Sequence, residues 1–399
     1  MSEIDTLHEK ILSRIAERYP DWRECSKDIH EHPEVSNHEH FACKRLSELL
    51  AREGFSVKTD VAGHPTGFTA VYKSAKPGPV LVFLAEYDAL PGLGHGCGHN
   101  LFGATSSLAA VGLKAVIDET GGEVRVYGTP GEEGGENGSA KGSFVREGFF
   151  KDVDAALCTH PGSLGHHLTA PNIACAPVSI EFFGKSAHAA SMPEKGINAL
   201  DGVILTYNGI NAMRQHVTSD VRIHGIITDG GKAPNIVPDY ARAYFYLRAA
   251  TVPKLDDIIA RVKKIVEGAA LMTGARGEMK FTQNRVDNLV PTPLFDEVYK
   301  KHLLEAGETL NTVKLNSVAS SDVGNVSQVV PTIQPWIKIS DHKLTPHTEG
   351  FKEAAISECG LASIKLGARL LAFTALDLIL DPDLLARIKA EHAKCVANQ

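Results

Sequence analysis

Apolar and polar residues follow two rhythms along this chain, and the change between them divides it. Helical spacing dominates the first fifty residues. Between Glu39 and Leu50, the positions Phe41, Ala42, Leu46, Leu49 and Leu50 share one face. Short apolar runs then alternate with helical stretches. The run Val80 to Ala85 has no polar interruption, as expected of a strand buried on both faces. Leu101 to Ile117, with Leu101, Leu108, Val111 and Leu113 among its apolar positions, predicts a helix. "EVRVYGTP" predicts a strand, "SAKGSFVREG" a short helix ending on Gly148, and "DAALCTH" a further strand. Alternation of this kind predicts an α/β layer structure.

A second rhythm starts near Pro171. "APVSIEFFG" predicts a strand, 197–215 a helix, 221–228 and 239–248 two strands, 253–272 a helix and 277–283 a last strand. The order β-α-β-β-α-β is that of a ferredoxin-like unit. Strand and helix patterns resume after Pro293 and close with "GLASIKLGARLLAFTALDLIL", a long apolar helix. The simplest expectation is one α/β domain formed by 1–171 and 286–399, interrupted by a smaller domain at 172–285. No internal repeat and no low-complexity tract is visible.

Composition narrows the function classes. Of 399 residues, 43% are hydrophobic and 22% charged, as for ordinary globular packing. A net charge of -7 gives no electrostatic case for nucleic acid or an anionic membrane. No uninterrupted apolar run approaches the roughly 20 residues of a bilayer span. The first residues, "MSEIDTLHEKILSRIAERYPDW", are charged and amphipathic rather than signal-like, so a cytoplasmic protein is expected. Seven irregularly spaced cysteines argue against a disulfide framework. Outside "GLGHGCGHNLFG" they are expected to be buried small hydrophobes.

The candidate chemistry sits where predicted strands end. Cys97 and His99 follow the Val80–Ala85 run. Glu132 and Glu133 in "TPGEEGG" follow "EVRVYG", and His160 ends "DAALCTH". Open α/β sheets place ligand sites at the carboxyl ends of strands, so convergence of these loops is plausible. Thiolate, imidazole and carboxylate together suit zinc; imidazole with carboxylate also suits manganese or cobalt. Glycines let Cys97 and His99 turn toward one centre, although a Cys-x-His pair taken alone is more often incidental. The adjacent carboxylates have a solvated turn as their plain reading. Beside a metal, one can ligate while the other takes a proton from an acidified water, as amide hydrolysis needs.

Seven blocks occur in order: "IHEHPE" (29–34), "AEYDALPGLGHGCGHN" (85–100), "TPGEEGG" (129–135), "GKSAHAASMPEKGINALD" (184–201), "GGKAPNIVPD" (230–239), "SSDVGNVS" (320–327) and "PHTEGF" (346–351). Together they resemble the metallopeptidase family of aminoacylases and glutamate carboxypeptidases. Within it they are similar to the amidohydrolase branch with auxin-conjugate hydrolases, aminobenzoyl-glutamate hydrolase and β-alanyl-lysine-type dipeptidases. The resemblance implies a mixed-sheet catalytic domain with an inserted dimerisation (lid) domain. It implies two divalent ions, zinc or manganese, on Cys97, His99, Glu133, His160 and His347. Glu132 matches the general base, and Asp88 a carboxylate that orients a ligand. His188 matches a histidine that reaches a partner subunit's site and steadies the oxyanion. Asn235 and Arg248 match positions that hold the substrate's carboxylate. A homodimer through the inserted domain and a small amide or dipeptide substrate follow. Where most members carry His-x-Asp with a ligand His, this chain has Glu86-Tyr87-Asp88; Cys97 is the branch's compensation.

The remaining histidines have plainer expectations. His30, His32, His38, His40, His166 and His167 read as surface or capping residues, and His95 as a lesser candidate for a further ligand. His342 is the position most easily confused with His347. Two other classes stay open: a metal-free cysteine hydrolase using Cys97, and a non-catalytic binding or regulatory protein on the same scaffold.

Overall fold

The computed structural model describes residues 3–163, 165–313 and 319–399. It divides into two compact units: the chain up to Pro171 with Leu289–Asn398, and Asn172–Asn288.

The first unit opens with α1 (Glu3–Glu31) and α2 (His40–Arg52). Buried Leu7, Ile11, Ile15, Trp22, Cys25 and Ile29 recur along α1 at three-, four- and seven-residue steps, which place them on one stripe. Next come β1 (Ser56–Val61), β2 (His64–Lys73), β3 (Val80–Ala85), α3 (His99–Thr120), β4 (Glu123–Gly128), α4 (Ala140–Arg146), β5 (Ala155–Leu157) and β6 (His160–Gly162). The second unit supplies β7 (Ala174–Phe183), α5 (Ala199–Met213), β8 (Arg222–Asp229), β9 (Tyr240–Ala249), α6 (Val252–Thr273) and β10 (Arg276–Phe281). The chain returns to the first unit with α7 (Pro293–Glu305), α8 (Val323–Ser327), β11 (Thr332–Ile333), β12 (Trp336–Lys338), α9 (Glu349–Ala354), α10 (Glu358–Leu380) and α11 (Pro382–Ala397).

The main sheet runs β1-β2-β4-β3-β5-β11 and is mixed. β2 lies antiparallel to β1 and β4, while β3, β4, β5 and β11 run parallel. β3 is covered on both sides, as its unbroken apolar run requires. Leu81, Phe83 and Ala85 join the core that includes α1, α3 and α10, whereas Val82 and Leu84 join the opposite core with Phe144 of α4 and Val326 of α8. By length and hydropathy α3 alone among the described residues could cross a membrane. Most of that stretch is instead buried within this unit.

One expected strand is two. "DAALCTH" breaks after Leu157: β5 stays in the main sheet, and β6 pairs in parallel with β12 in a separate two-stranded sheet. The Cys158 and His160 N–H groups donate to the Ile333 and Pro335 carbonyls, so the segment that carries His160 stays tied to the chain from β11 to β12 across the break.

The second unit is an antiparallel sheet of order β10-β7-β9-β8 with helices α5 and α6, in the expected β-α-β-β-α-β sequence. β9 alternates half-buried and buried residues along its whole length, as a strand with one covered face does. β8 is an edge strand, and Ile226 and Ile227 on it are exposed.

Candidate metal centre

The site is built from loops that leave β3 and β4 and from β6. After β3 the chain runs through Glu86 and Asp88 into the glycine-rich turn that carries Cys97. Gly98 adopts φ 79° at the N-terminus of α3, and a Cβ there would stand 3.0 Å from the Pro161 ring. Glycine is therefore required both by the left-handed backbone and by the close approach of the chain that carries His160. His99 follows as the first residue of α3.

Asp88 organises the centre. Its Oδ1 lies 3.0 Å from His99 Nδ1, and its Oδ2 accepts the Glu133 backbone N–H at 2.9 Å. With Nδ1–H donating to Asp88, His99 keeps Nε2 as its ligand atom. His160 has the same logic: Nδ1 donates to the Pro161 carbonyl at 2.9 Å, and Nε2 faces Cys97 Sγ at 3.5 Å. His347 is tied to the glycine turn by its own N–H, which donates to the Gly96 carbonyl at 2.9 Å. It sits at φ 64°, an uncommon backbone state for a non-glycine residue, and its Nε2 lies 3.2 Å from Glu133 Oε1. Glu39 holds the "TPGEEGG" loop from below, because its Oε1 accepts the Gly131 N–H at 2.9 Å.

These contacts produce two donor groups that share one sulfur. Cys97, His99 and His160 form one, and Cys97, Glu133 and His347 the other. In each group the ligand atoms lie within 4.8 Å of one another. A third group, Glu86, His99 and Glu132, adjoins the first through His99. Among the described residues buried His99 Nε2 makes no hydrogen bond, and buried Glu133 Oε1 has only the His347 ring beside it. Burial would normally forbid an orphan such as His99 Nε2, and a cation is the partner that thiolate, imidazole and carboxylate donors fit.

The electrostatics agree. Burial first, then the charges of Glu86 and Glu133, hold the Glu132 carboxyl well above the ordinary carboxylate range. Burial, followed by the charge of Glu133, pushes the Cys97 thiol far up. Burial also works upward on Glu133, but the hydrogen bond from His347 and the charge of His99 overcome it, and its carboxyl is lowered. Acidic groups crowded this closely can all ionise only beside positive charge.

The residues placed in the second unit have their own geometry. His188 is exposed, and its Nδ1 accepts the Ala190 and Ser191 N–H groups at 3.3 and 3.2 Å. The proton therefore rests on Nε2, which is the donor an oxyanion needs. Its neighbour Ala189 donates to the Asn235 carbonyl at 3.0 Å, so His188 and Asn235 lie on adjoining loops. Arg248 is on β9, with its guanidinium 5.4 Å from the centre of the Tyr246 ring.

Comparison with known proteins fixes the family. Residues 174–272 match the model of the peptidase dimerisation domain. The Xaa-Arg dipeptidase of Homo sapiens is 34% identical over 385 residues, covering 92% of this chain and 87% of that protein. A p-aminobenzoyl-glutamate hydrolase chain of Escherichia coli is 31% identical, covering 100% of this chain and 97% of that one. The chain belongs to the M20 peptidase family. A Bacillus subtilis dinuclear metal-binding peptidase from the M20 family shares the fold at a TM-score of 0.61 and 18% identity, over 94% of this chain and 99% of that one. As an M20 protein the chain is a metal-dependent hydrolase of peptide or amide bonds, with divalent metal as its cofactor.

Some histidines depart from expectation. His166 and His167 are buried, not surface residues. His167 exchanges both backbone hydrogen bonds with Trp336, and His166 Nδ1 accepts the Lys338 N–H at 3.3 Å, so both stitch β12 to the preceding loop. His30 is half-buried, with Nε2 donating to the Lys352 carbonyl at 3.0 Å. His95 is buried and belongs to none of the donor groups; its Nε2 donates to the Ile29 carbonyl at 3.1 Å, and burial lowers its pKa to about 3. Sequence patterning missed Glu39, Lys141 and Asp322. All three are buried charged residues at this centre of an M20 enzyme. Only Asp322, in "SSDVGNVS", lay inside a motif.

Proposed function

We propose that this M20 enzyme cleaves the amide bond of an N-acyl or N-aminoacyl amino acid, using two divalent ions, zinc or manganese. Cys97, His99, Glu133, His160 and His347 would hold them, and Asp88 would orient His99. The sharing of Cys97 Sγ by two donor groups carries this reading. When bound, the ions would supply Lewis acidity, acidifying water and polarising the scissile carbonyl. Glu132, beside His99 Nε2 at 3.8 Å, takes the proton of the attacking water and returns it to the leaving amine. His188, with its proton on Nε2, stabilises the developing oxyanion. Asn235 and Arg248 hold the carboxylate of the released amino acid.

The names of the relatives, an Xaa-Arg dipeptidase and a p-aminobenzoyl-glutamate hydrolase, support a substrate whose released half is an amino acid. Residues 172–285 would act as the dimerisation and lid domain of a homodimer, inserted into a catalytic domain of 1–171 and 286–399. His188 would serve the partner's site. A metal-free cysteine hydrolase fits poorly: without a cation beside it, burial pushes the Cys97 thiol up and disfavours a thiolate nucleophile, and that scheme gives Glu132 and Glu133 no task.

Metal analysis with a panel of N-acyl amino acids and dipeptides, tested with added zinc, manganese or cobalt, checks the reading. Bound metal and turnover abolished by chelation are expected. Turnover that survives complete metal removal would refute the reading. Metal bound without turnover across the panel would favour a non-catalytic binder.

A further inference from the structure

Lys141 is fully buried at the start of α4. Lysine is almost never found so deep unless its charge is met. Its Nζ lies 2.6 Å from Asp322 Oδ1 and 2.8 Å from Glu86 Oε1, and its backbone N–H donates to Asp322 Oδ2 at 3.1 Å. Asp322 is therefore held at two points, and it fixes the ammonium against one oxygen of Glu86. The other oxygen, Glu86 Oε2, lies 3.3 Å from His99 Nε2. That nitrogen is the one Asp88 leaves free for a ligand, and it is the one Glu132 approaches. Glu86, His99 and Glu132 can place donor atoms around a single ion. If neutralisation alone were needed here, apolar residues of similar volume would serve the fold as well. The observed arrangement also aims a carboxylate oxygen.

We propose that Lys141 and Asp322 are positioning residues for the metal centre: they clamp Glu86 so that its second oxygen faces the ion held on His99 Nε2. Glu86 is then a further metal-facing donor, and its placement sets the field in which Glu132 works. The inference rests on the two-ion reading of the site.

The test is a titration of the metal-free full chain with Co²⁺ against a competing chelator. It follows the cobalt d–d absorption and the charge-transfer band from the Cys97 thiolate. In Glu86→Gln, one ion is expected to bind about 10–100-fold more weakly, the usual cost of losing a supporting ligand contact. Its d–d bands shift while the charge-transfer band persists. Lys141→Met should reproduce that change, since Glu86 is no longer aimed. Because Lys141→Met also leaves two buried carboxylates facing each other and can fail to fold, Asp322→Asn is the gentler companion. It keeps Lys141 paired with Glu86 and should shift the d–d bands in the same direction. Unchanged affinity and bands in Glu86→Gln would overturn this inference and leave the proposed function standing. A change in Glu86→Gln with none in Asp322→Asn and folded Lys141→Met would overturn the positioning role. A wild-type chain that binds no Co²⁺ would overturn both readings.

Discussion

Glu132 and its neighbours show what a single side chain contributes. Glu132→Gln keeps the volume and removes the proton acceptor, so turnover should fall by at least about 100-fold, the lower range for a lost general base. Metal content by elemental analysis should not change. Away from the centre, Asp296 is a buried carboxyl whose Oδ1 accepts the hydroxyl and backbone N–H of Thr169 at 2.7 and 3.1 Å. Burial, only partly opposed by those bonds, pushes it up to about 7. The folded state thus holds a proton that the unfolded chain releases near pH 4, and stability falls as pH rises from about 4 to about 7. Asp296→Asn should raise the melting temperature at pH 8 and leave it nearly unchanged at pH 4, as scanning calorimetry would show. At this scale the motif residues were legible, because metal chemistry restricts side-chain type. Lys141 and Glu39 were not. A lysine in "SAKGSFVREG" looks like a solvent-facing helix residue until the fold closes around it.

At the scale of elements, α3 and β3 carry the argument. Gly103 of α3 faces the chain just after β3, and a Cβ there would come within 2.6 Å of the Glu86 carbonyl oxygen. Alanine ordinarily strengthens a helix interior by roughly 0.5–1 kcal/mol over glycine. Here backbone would have to move, so Gly103→Ala should instead cost about 1–3 kcal/mol, as overpacking generally does. A lowered urea midpoint would record it. Because Glu86 moves with that backbone, metal affinity should fall too. The double burial of Val80–Ala85 was legible from its unbroken apolar run. The break between β5 and β6 was not: an apolar run does not say which strand will pair with it, and β12, which captures His160–Gly162, lies far along the chain.

At the scale of the whole molecule, the proposed homodimer makes two predictions. β8 presents Ile226 and Ile227 on an unpaired edge, a surface that solvent leaves poorly satisfied. Ile226→Lys should shift the chain toward monomer in sedimentation velocity and lower activity with it. Mixing His188→Ala with Glu132→Gln chains should restore activity to about a quarter of the wild-type value if subunits exchange at random and each site takes His188 from its partner. Absence of rescue after demonstrated exchange would assign His188 to its own subunit's site or to none. The sequence by itself determined the family, the two-rhythm division into an α/β domain and a β-α-β-β-α-β insertion, and the types of residue able to hold metal. Periodicity and ligand chemistry are local properties, written residue by residue. Only the tertiary structure decided that Cys97 joins two donor groups, that Asp88 sets the free nitrogen of His99, and that Lys141 and Asp322 stand behind Glu86. Those facts depend on distances between segments far apart in the chain, which packing and burial alone create.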